Sequence, residues 1–155
     1  MKLNIEVNNK AQSPIADSFF VSIAKKTLEE VRAVKGGKAF GNKESFSISV
    51  ALVSEEEMQK LNREHRQKDN VTDILSFWEF EGLEGIRGVE DDEVFLGELI
   101  LCYDDIKKYA AAEGSNLSRE LINVVSHGVL HLLGYVHGEE MFFIQKKIAN
   151  LDIKA

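Results

Sequence analysis

Hydrophobic and polar residues alternate along several segments of the chain, and this period of two predicts β-strands. The alternation is clear over residues 3–7 and again over residues 46–52. Residues 72–80 and 94–103 are predicted as two further strands, the last of them apolar almost throughout. We therefore predict four strands.

Apolar residues recur at helical spacing between these strands, which predicts amphipathic helices. Ser13 and Pro14, a capping residue followed by a first-turn proline, predict the start of the first helix. A glycine pair at residues 36–37 predicts its end. The first helix is therefore expected to fill most of the interval between the first two strands.

A capping box marks the second helix, because Ser54 is followed three residues later by Glu57. This helix is predicted to run to about residue 66. Three more helices are predicted, over about residues 104–113, 118–133 and 139–151.

Strands and helices mix without regular β-α-β alternation, which predicts an α+β fold. The length of 155 residues suits one domain with a single core. We predict one domain over residues 1–155, with one mixed four-stranded sheet packed with about five helices. The Gly-rich acidic segment 81–93 is predicted to be a loop and the one mobile segment.

Charge and cysteine content narrow the possible functions. Lys and Arg number 19 against 26 Asp and Glu, a net charge of −7 that argues against an anionic partner over the whole surface but not at a local patch. Cys102 is the one cysteine, which excludes an intrachain disulfide, and its apolar neighbours predict a core residue. No segment has the apolar core of a signal peptide or of a membrane span. We therefore expect a cytoplasmic protein.

Three of the four histidines fall within eleven positions, in the pattern H-x-x-x-H-x-x-G-x-x-H. His127 and His131 are four apart on a predicted helix, so their Cβ atoms lie about 5–6 Å apart and both rings can reach one ion. Gly134 permits the left-handed turn that ends the helix, so that His137 can reach the same ion. Three protein ligands leave a fourth position open, as in catalytic zinc sites, and an all-imidazole set suits zinc best.

Metzincin proteases have the same histidine spacing, with a glutamate after the first histidine that acts as general base. That position is Gly128 here, and a glycine cannot take a proton. Peptide hydrolysis by the standard route is therefore disfavoured, and the chemistry must use the acidified water of the metal site and a base from elsewhere.

Residues 60–68 form the one clearly basic stretch of this acidic chain. Lys60 and Arg63 are predicted to lie on a solvated helix face. His65 lies on the opposite side of the predicted helix, and we expect it to be packed or half-buried and not to touch the metal.

Three sequence blocks lie in order along the second half of the chain. Residues 61–77 are L-N-R-E-H-R-Q-K-D-N-V-T-D-I-L-S-F, residues 96–102 are L-G-E-L-I-L-C, and residues 127–137 are H-G-V-L-H-L-L-G-Y-V-H. Together they resemble the YbeY family of endoribonucleases. The resemblance extends from about residue 46 to the end and is most specific in the last block.

The resemblance implies a zincin-like α+β domain and a bacterial, cytoplasmic enzyme of rRNA processing, associated with 16S rRNA 3′ end maturation and ribosome quality control. It implies that His127, His131 and His137 bind Zn²⁺, and that Arg66 is the active-site arginine that acts with His127 and His131 in catalysis. The expected partners are rRNA and the small ribosomal subunit, with no membrane, and we expect a monomer. A bidentate, always-charged guanidinium suits Arg66 to phosphate oxygens on which charge develops.

The chain departs from the family pattern at four positions. Val136 stands where the family usually has Asp, Val71 and Trp78 replace prolines, and His65 replaces an aromatic residue. The change at Val136 matters most, because a carboxylate beside the third ligand can orient an imidazole or move a proton. Its loss bears on catalytic strength and not on metal binding.

Two other functions remain open. The first is a zinc peptidase, against which Gly128 argues. The second is a ribosome-assembly binding factor with a structural zinc and weak or lost activity, which the change at Val136 keeps open.

Overall fold

The computed structural model describes residues 1–154, and in these the four predicted strands form one open sheet. The strands are β1 (Lys2–Asn9), β2 (Ser45–Val53), β3 (Ile74–Trp78) and β4 (Glu93–Cys102). Their order is β1-β2-β4-β3, with β1 parallel to β2, β2 parallel to β4, and β3 antiparallel to β4. The prediction of a mixed four-stranded α+β sheet is confirmed, and β1 and β3 are its edges.

The described part of the chain contains six helices, one more than predicted. They are α1 (Asp17–Val34), α2 (Glu55–Arg66), α3 (Gly82–Arg87), α4 (Tyr103–Ala112), α5 (Leu117–Leu132) and α6 (Glu139–Ala149). None of them is long and apolar enough to cross a bilayer.

The additional helix is α3, which lies inside the segment that we predicted to be a loop. It is six residues long, too short to show a helical period in the sequence. Ile86 is buried in the main core and Leu83 packs against that core. Tertiary packing therefore orders a segment whose composition suggested a loop.

The predicted start of the first helix was wrong. The helix begins at Asp17, after Ala16, and not at Ser13. The Ser13 hydroxyl accepts a hydrogen bond from the Ile15 N–H at 3.1 Å, and the Ser13 N–H donates to the Asn9 side-chain oxygen at 2.9 Å. Ser13 therefore closes a turn after β1 and does not cap the helix. The predicted cap of α2 is confirmed, since the Ser54 hydroxyl accepts from the Glu57 N–H at 3.1 Å.

Hydrophobic residues fill both faces of the sheet. On β4, Leu99 and Leu101 belong to the main core, which includes residues of α1, α5 and α6. The alternate residues Ile100 and Cys102 lie in a smaller cluster with Met58 of α2. Because neighbouring strand residues point to opposite faces, α5 and α2 cover opposite faces of the sheet near β3 and β4. Cys102 is buried as predicted, and burial raises the pKa of its thiol to about 11.

Candidate metal centre

The three histidines predicted as ligands lie together at the C-terminal end of α5. His127 and His131 are one turn apart on the helix, and Gly134 turns the chain at φ +91° so that His137 returns to them. The Nε2 atom of His127 lies 3.0 Å from that of His131 and 3.2 Å from that of His137. One ligand nitrogen from each ring lies within 4.8 Å of the other two.

Hydrogen bonds orient two of the three rings. His131 Nδ1 lies 2.9 Å from the Tyr135 carbonyl oxygen, and His127 Nδ1 lies 3.4 Å from the Gln145 side-chain oxygen. Both oxygens can only accept, so each Nδ1 carries the proton and donates it. In this tautomer the Nε2 atom of each ring carries the lone pair that can bind a metal ion, and the two Nε2 atoms lie 3.0 Å apart.

This arrangement fits a metal ion. A tetrahedral zinc ion with bonds of about 2.0–2.1 Å holds its ligand atoms about 3.3–3.4 Å apart, close to the two Nε2 separations. Unprotonated nitrogens facing one another at this distance repel unless a cation lies between them. Within residues 1–154 the cluster contains imidazoles alone, so it can hold a metal ion with three protein ligands and one open position.

A second set of contacts fixes the turn that positions His131. The Tyr135 hydroxyl lies 3.5 Å from a Glu140 carboxylate oxygen, and that carboxylate pairs with Lys35 at 2.7 Å. Burial, together with the charge of Glu140, raises the pKa of Tyr135 to about 12, so the hydroxyl stays protonated and donates. Neither Gln145 nor Lys35 was predicted from the sequence. No sequence signal links them to the histidines, because other helices bring them there.

Burial also acts on His131 directly. It lowers the pKa of the ring below its ordinary value, against the hydrogen bond to the Tyr135 carbonyl, which raises it. Electrostatic interactions with His127, His137 and Arg66 lower the pKa of His131 further. His131 is therefore held neutral, as a metal ligand must be, over a wider pH range than a free histidine.

Gly128 has a packing role. A Cβ atom at this position would lie 2.5 Å from Ile74 Cδ1 and 2.9 Å from Leu99 Cδ2. The glycine thus lets α5 lie close against β3 and β4. A glutamate here, as metzincins have, would push the helix away from the sheet.

An open cleft runs from the histidines between α5 and the edge strand β3. One wall carries His127 and His131 of α5, and the other is formed by residues 72–78 and by Arg66 at the end of α2. Arg66 is exposed and takes part in no ion pair within the described chain. Its charge lowers the pKa of His131, so it lies within electrostatic reach of the histidine cluster. The structure therefore brings the predicted arginine and the predicted ligands into one cleft.

Two residues close to Arg66 on α2, Arg63 and His65, differ from it in their contacts. Arg63, one turn earlier on α2, pairs with Asp69 at 3.2 Å and does not line the cleft. His65 lines the cleft and lies outside the three-histidine cluster, and its ring packs against another side chain as expected, but the expectation that it is half-buried is wrong. It is exposed, as is the whole last turn of α2, and its ring lies edge-on to Phe77 at 5.3 Å.

Val136 lies in the turn between His131 and His137 and lines the same cleft. Its side chain is 77% exposed. A charged residue at this position would therefore remain in water.

The sheet packs against a helix whose two histidines converge with a third histidine in a cleft. This arrangement defines an α+β protein with a three-histidine cluster that could bind a metal ion. The family model described as Endoribonuclease YbeY matches residues 6–151. The chain therefore belongs to the YbeY family.

Similar proteins agree with this assignment. The chain is 42% identical to Endoribonuclease YbeY of Staphylococcus carnosus over 106 residues, which are 65% of this chain and 69% of that protein. It is 38% identical to Endoribonuclease YbeY of Bacillus pumilus over 136 residues, 81% of this chain and 86% of the relative. Among solved structures, the solution structure of TM1509 from Thermotoga maritima matches with a TM-score of 0.58 and 30% identity, over 94% of this chain and 87% of that one.

Proposed function

We propose that this protein is a zinc-dependent endoribonuclease that acts in rRNA processing, in maturation of the 16S rRNA 3′ end and in ribosome quality control. The observation that carries the proposal is the convergence of three imidazole nitrogens in a cleft whose facing wall presents an unpaired arginine. Membership of the YbeY family, whose model is described as an endoribonuclease, supports the reaction and the substrate class.

His127, His131 and His137 hold the zinc ion in this proposal. When bound, the ion supplies Lewis-acid chemistry for phosphodiester hydrolysis. The Tyr135 carbonyl and the Gln145 amide keep the protons of His131 and His127 on Nδ1, so that the Nε2 atoms stay free to ligate.

Arg66 binds the non-bridging oxygens of the phosphate that is cleaved. Its guanidinium is always charged, can donate two parallel hydrogen bonds, and is not engaged by a carboxylate of residues 1–154. Negative charge grows on these oxygens as the bond to the leaving group breaks, so the interaction strengthens in the transition state. In this proposal the catalytic residues are Arg66, His127 and His131, and the two histidines are also metal ligands.

The proposal extends to the RNA partner, the oligomeric state and the cellular location of the protein. The RNA meets Arg66 locally, which reconciles an anionic substrate with a net charge of −7. We further propose that the chain acts as a monomer and as one metal-dependent domain over residues 1–155, in the cytoplasm, on rRNA of the small ribosomal subunit.

The test joins metal content to RNA cleavage. Protein handled without chelators should contain about one zinc ion per chain. It should cleave an rRNA fragment that ends in the 16S 3′ region, and a chelator should abolish cleavage until zinc is restored. An anomalous-scattering site coordinated away from the three histidines would refute the metal assignment. Stoichiometric zinc without RNA cleavage would refute the endoribonuclease.

A binding factor for ribosome assembly is the second candidate. It is favoured by the exposed apolar Val136 beside the third ligand, where the family usually has an acid. Zinc-loaded protein that binds the small subunit and cleaves no RNA would favour this candidate over the enzyme.

A further inference from the structure

Trp78 is the one tryptophan of the chain, and it is the last residue of the edge strand β3. Its side chain is 53% exposed and lines the same cleft as the three histidines. Large aromatic side chains that are left in water beside a site are typical of surfaces that bind a ligand.

The strand register places the indole on the metal side of the sheet. Ile74 and Ser76, which share the face of Trp78, contact the position of Gly128 on α5. The intervening Leu75 belongs instead to the cluster on the opposite face, which includes Met58 of α2. Trp78 therefore faces the side of the sheet that carries the metal centre.

The position along the cleft is set by a second contact. Trp78 pairs with Gly97 of β4, and a methyl group of Leu132 lies 2.9 Å from where a Gly97 side chain would begin. Leu132 directly follows the ligand His131, so the indole lies level with the end of α5 that carries the metal cluster. It is two residues, about 7 Å, along the strand from Ser76.

The Trp78 indole forms no specific contact with another described side chain. In the part of the chain that the structure describes, it takes part in no hydrogen bond, aromatic pair or cation–π contact, which is also true of the exposed Phe95 and Tyr109 but not of two other exposed aromatic residues. Phe142 stacks on His137, and Phe143 lies under the Lys147 ammonium group.

We propose that Trp78 is a base-stacking site for single-stranded RNA, which holds an unpaired nucleobase next to the phosphate bound by Arg66. This inference rests on the endoribonuclease proposed above. An aromatic face accepts any base and needs no hydrogen-bond pattern, so the site selects unpaired nucleotides and not a particular base. It also gives an acidic protein a non-ionic source of affinity for RNA, because stacking does not depend on net charge.

Because the chain has a single tryptophan, its fluorescence reports on this site alone. The probe is a single-stranded 2′-O-methyl phosphorothioate oligonucleotide, which resists hydrolysis, added to the zinc-loaded protein. Binding is followed in parallel by the anisotropy of a dye on the oligonucleotide. We expect saturating probe to quench the indole, and an oligonucleotide with abasic residues to bind more weakly without quenching.

Substitutions complete the test. Trp78→Ala should weaken binding about tenfold and raise KM with kcat nearly unchanged, whereas Trp78→Phe should stay within about threefold. The control is Phe143→Ala, an exposed aromatic residue outside the cleft, which should bind like wild type. The loss in Trp78→Ala should be equal at low and high salt, since phosphate contacts and not stacking carry the salt dependence.

The results of these experiments distinguish a failure of the stacking site from a failure of the proposed endoribonuclease. Probe that binds without quenching the wild-type indole, or Trp78→Ala protein that binds as tightly as wild type, would overturn the stacking site while RNA cleavage still stands. A wild-type protein that neither binds nor cleaves RNA would overturn both. If Trp78→Ala does not fold, wild-type quenching with the abasic comparison and Trp78→Phe decide the question.

Discussion

The two walls of the cleft hold their polar groups in different ways. On α5, the protons of His127 and His131 are held by acceptors that come from α6 and from the turn after the helix. On the facing wall, Arg66 has no ion pair among the described residues and is exposed. A metal ion needs ligands in a defined geometry before it arrives, which hydrogen bonds supply. A phosphate needs an arginine that is still free, and an internal ion pair would compete with it.

The largest effect is expected when one of the three histidines on the first wall is removed. In His131→Ala the protein should lose stoichiometric zinc and nearly all RNA cleavage. Zinc should no longer raise the melting temperature, whereas at about a hundredfold excess over Kd it stabilises wild type by about 2.7 kcal/mol, or about 5–10 °C. Elemental analysis and thermal melts with and without zinc measure both effects.

The matched control is His65→Ala, which removes an exposed histidine of the same cleft. It should keep the zinc content and the zinc-dependent rise in melting temperature. A His131→Ala protein that retains one zinc per chain would show that the ligand set lies elsewhere.

On the opposite wall, Arg66→Ala should change activity and little else. Cleavage should fall about a hundredfold, as when one preorganised donor to transition-state charge is removed. Zinc content should not change, and the free energy of unfolding should stay within about 0.5 kcal/mol because the side chain is exposed and unpaired.

For Arg66→Ala the comparison variant is Arg63→Ala, which removes an exposed arginine of the same helix that faces away from the cleft. Its cleavage rate should match wild type within about twofold. A drop in melting temperature for Arg66→Ala equal to that of His131→Ala would mean that Arg66 has a structural role.

The distance between the walls depends on Gly128. In Gly128→Ala the new methyl group would lie 2.5 Å from Ile74 Cδ1, so α5 must shift from the sheet. We expect a loss of about 1–3 kcal/mol in unfolding free energy, measured by urea denaturation. Gly88→Ala is the control, because its nearest new contact is 3.6 Å away. Equal stability of the two variants would mean that α5 does not require a glycine for its packing.

The smallest expected effect is a gain, at Val136. Val136→Asp should raise RNA cleavage by up to about tenfold, because a carboxylate there can orient His137 or accept a proton. Exposure of this side chain removes the objection that the charge would be buried, so stability should change by less than about 0.5 kcal/mol. Zinc content should be unchanged, and Val136→Asn, which lacks the charge, should cleave more slowly than Val136→Asp. Equal rates for Val136→Asp and wild type would show that this departure from the family is neutral.

Local patterns were sufficient for much of this molecule. The alternation of residues 46–52 predicted β2, and the Ser54 cap predicted the start of α2, because both depend on neighbours within one strand or one helical turn. The spacing of His127, His131 and His137 predicted a cluster for the same reason, since one helical turn and the glycine turn after it already place the three residues near one another. Prediction failed at α3 and at the start of α1, where packing against distant residues outweighs the local signal.

The sequence by itself therefore determined the mixed sheet, the helix that carries His127 and His131, and the family of this protein. Only the tertiary structure decided that Gly128 is a close contact with the sheet, that Gln145 orients His127, and that Arg66 and Trp78 face the histidines across one cleft. The physical reason is the range of the interactions: backbone propensity and side-chain spacing act over a few residues. The facing wall of the cleft comes from elements about fifty residues earlier in the chain, which only the packing of the whole sheet brings there.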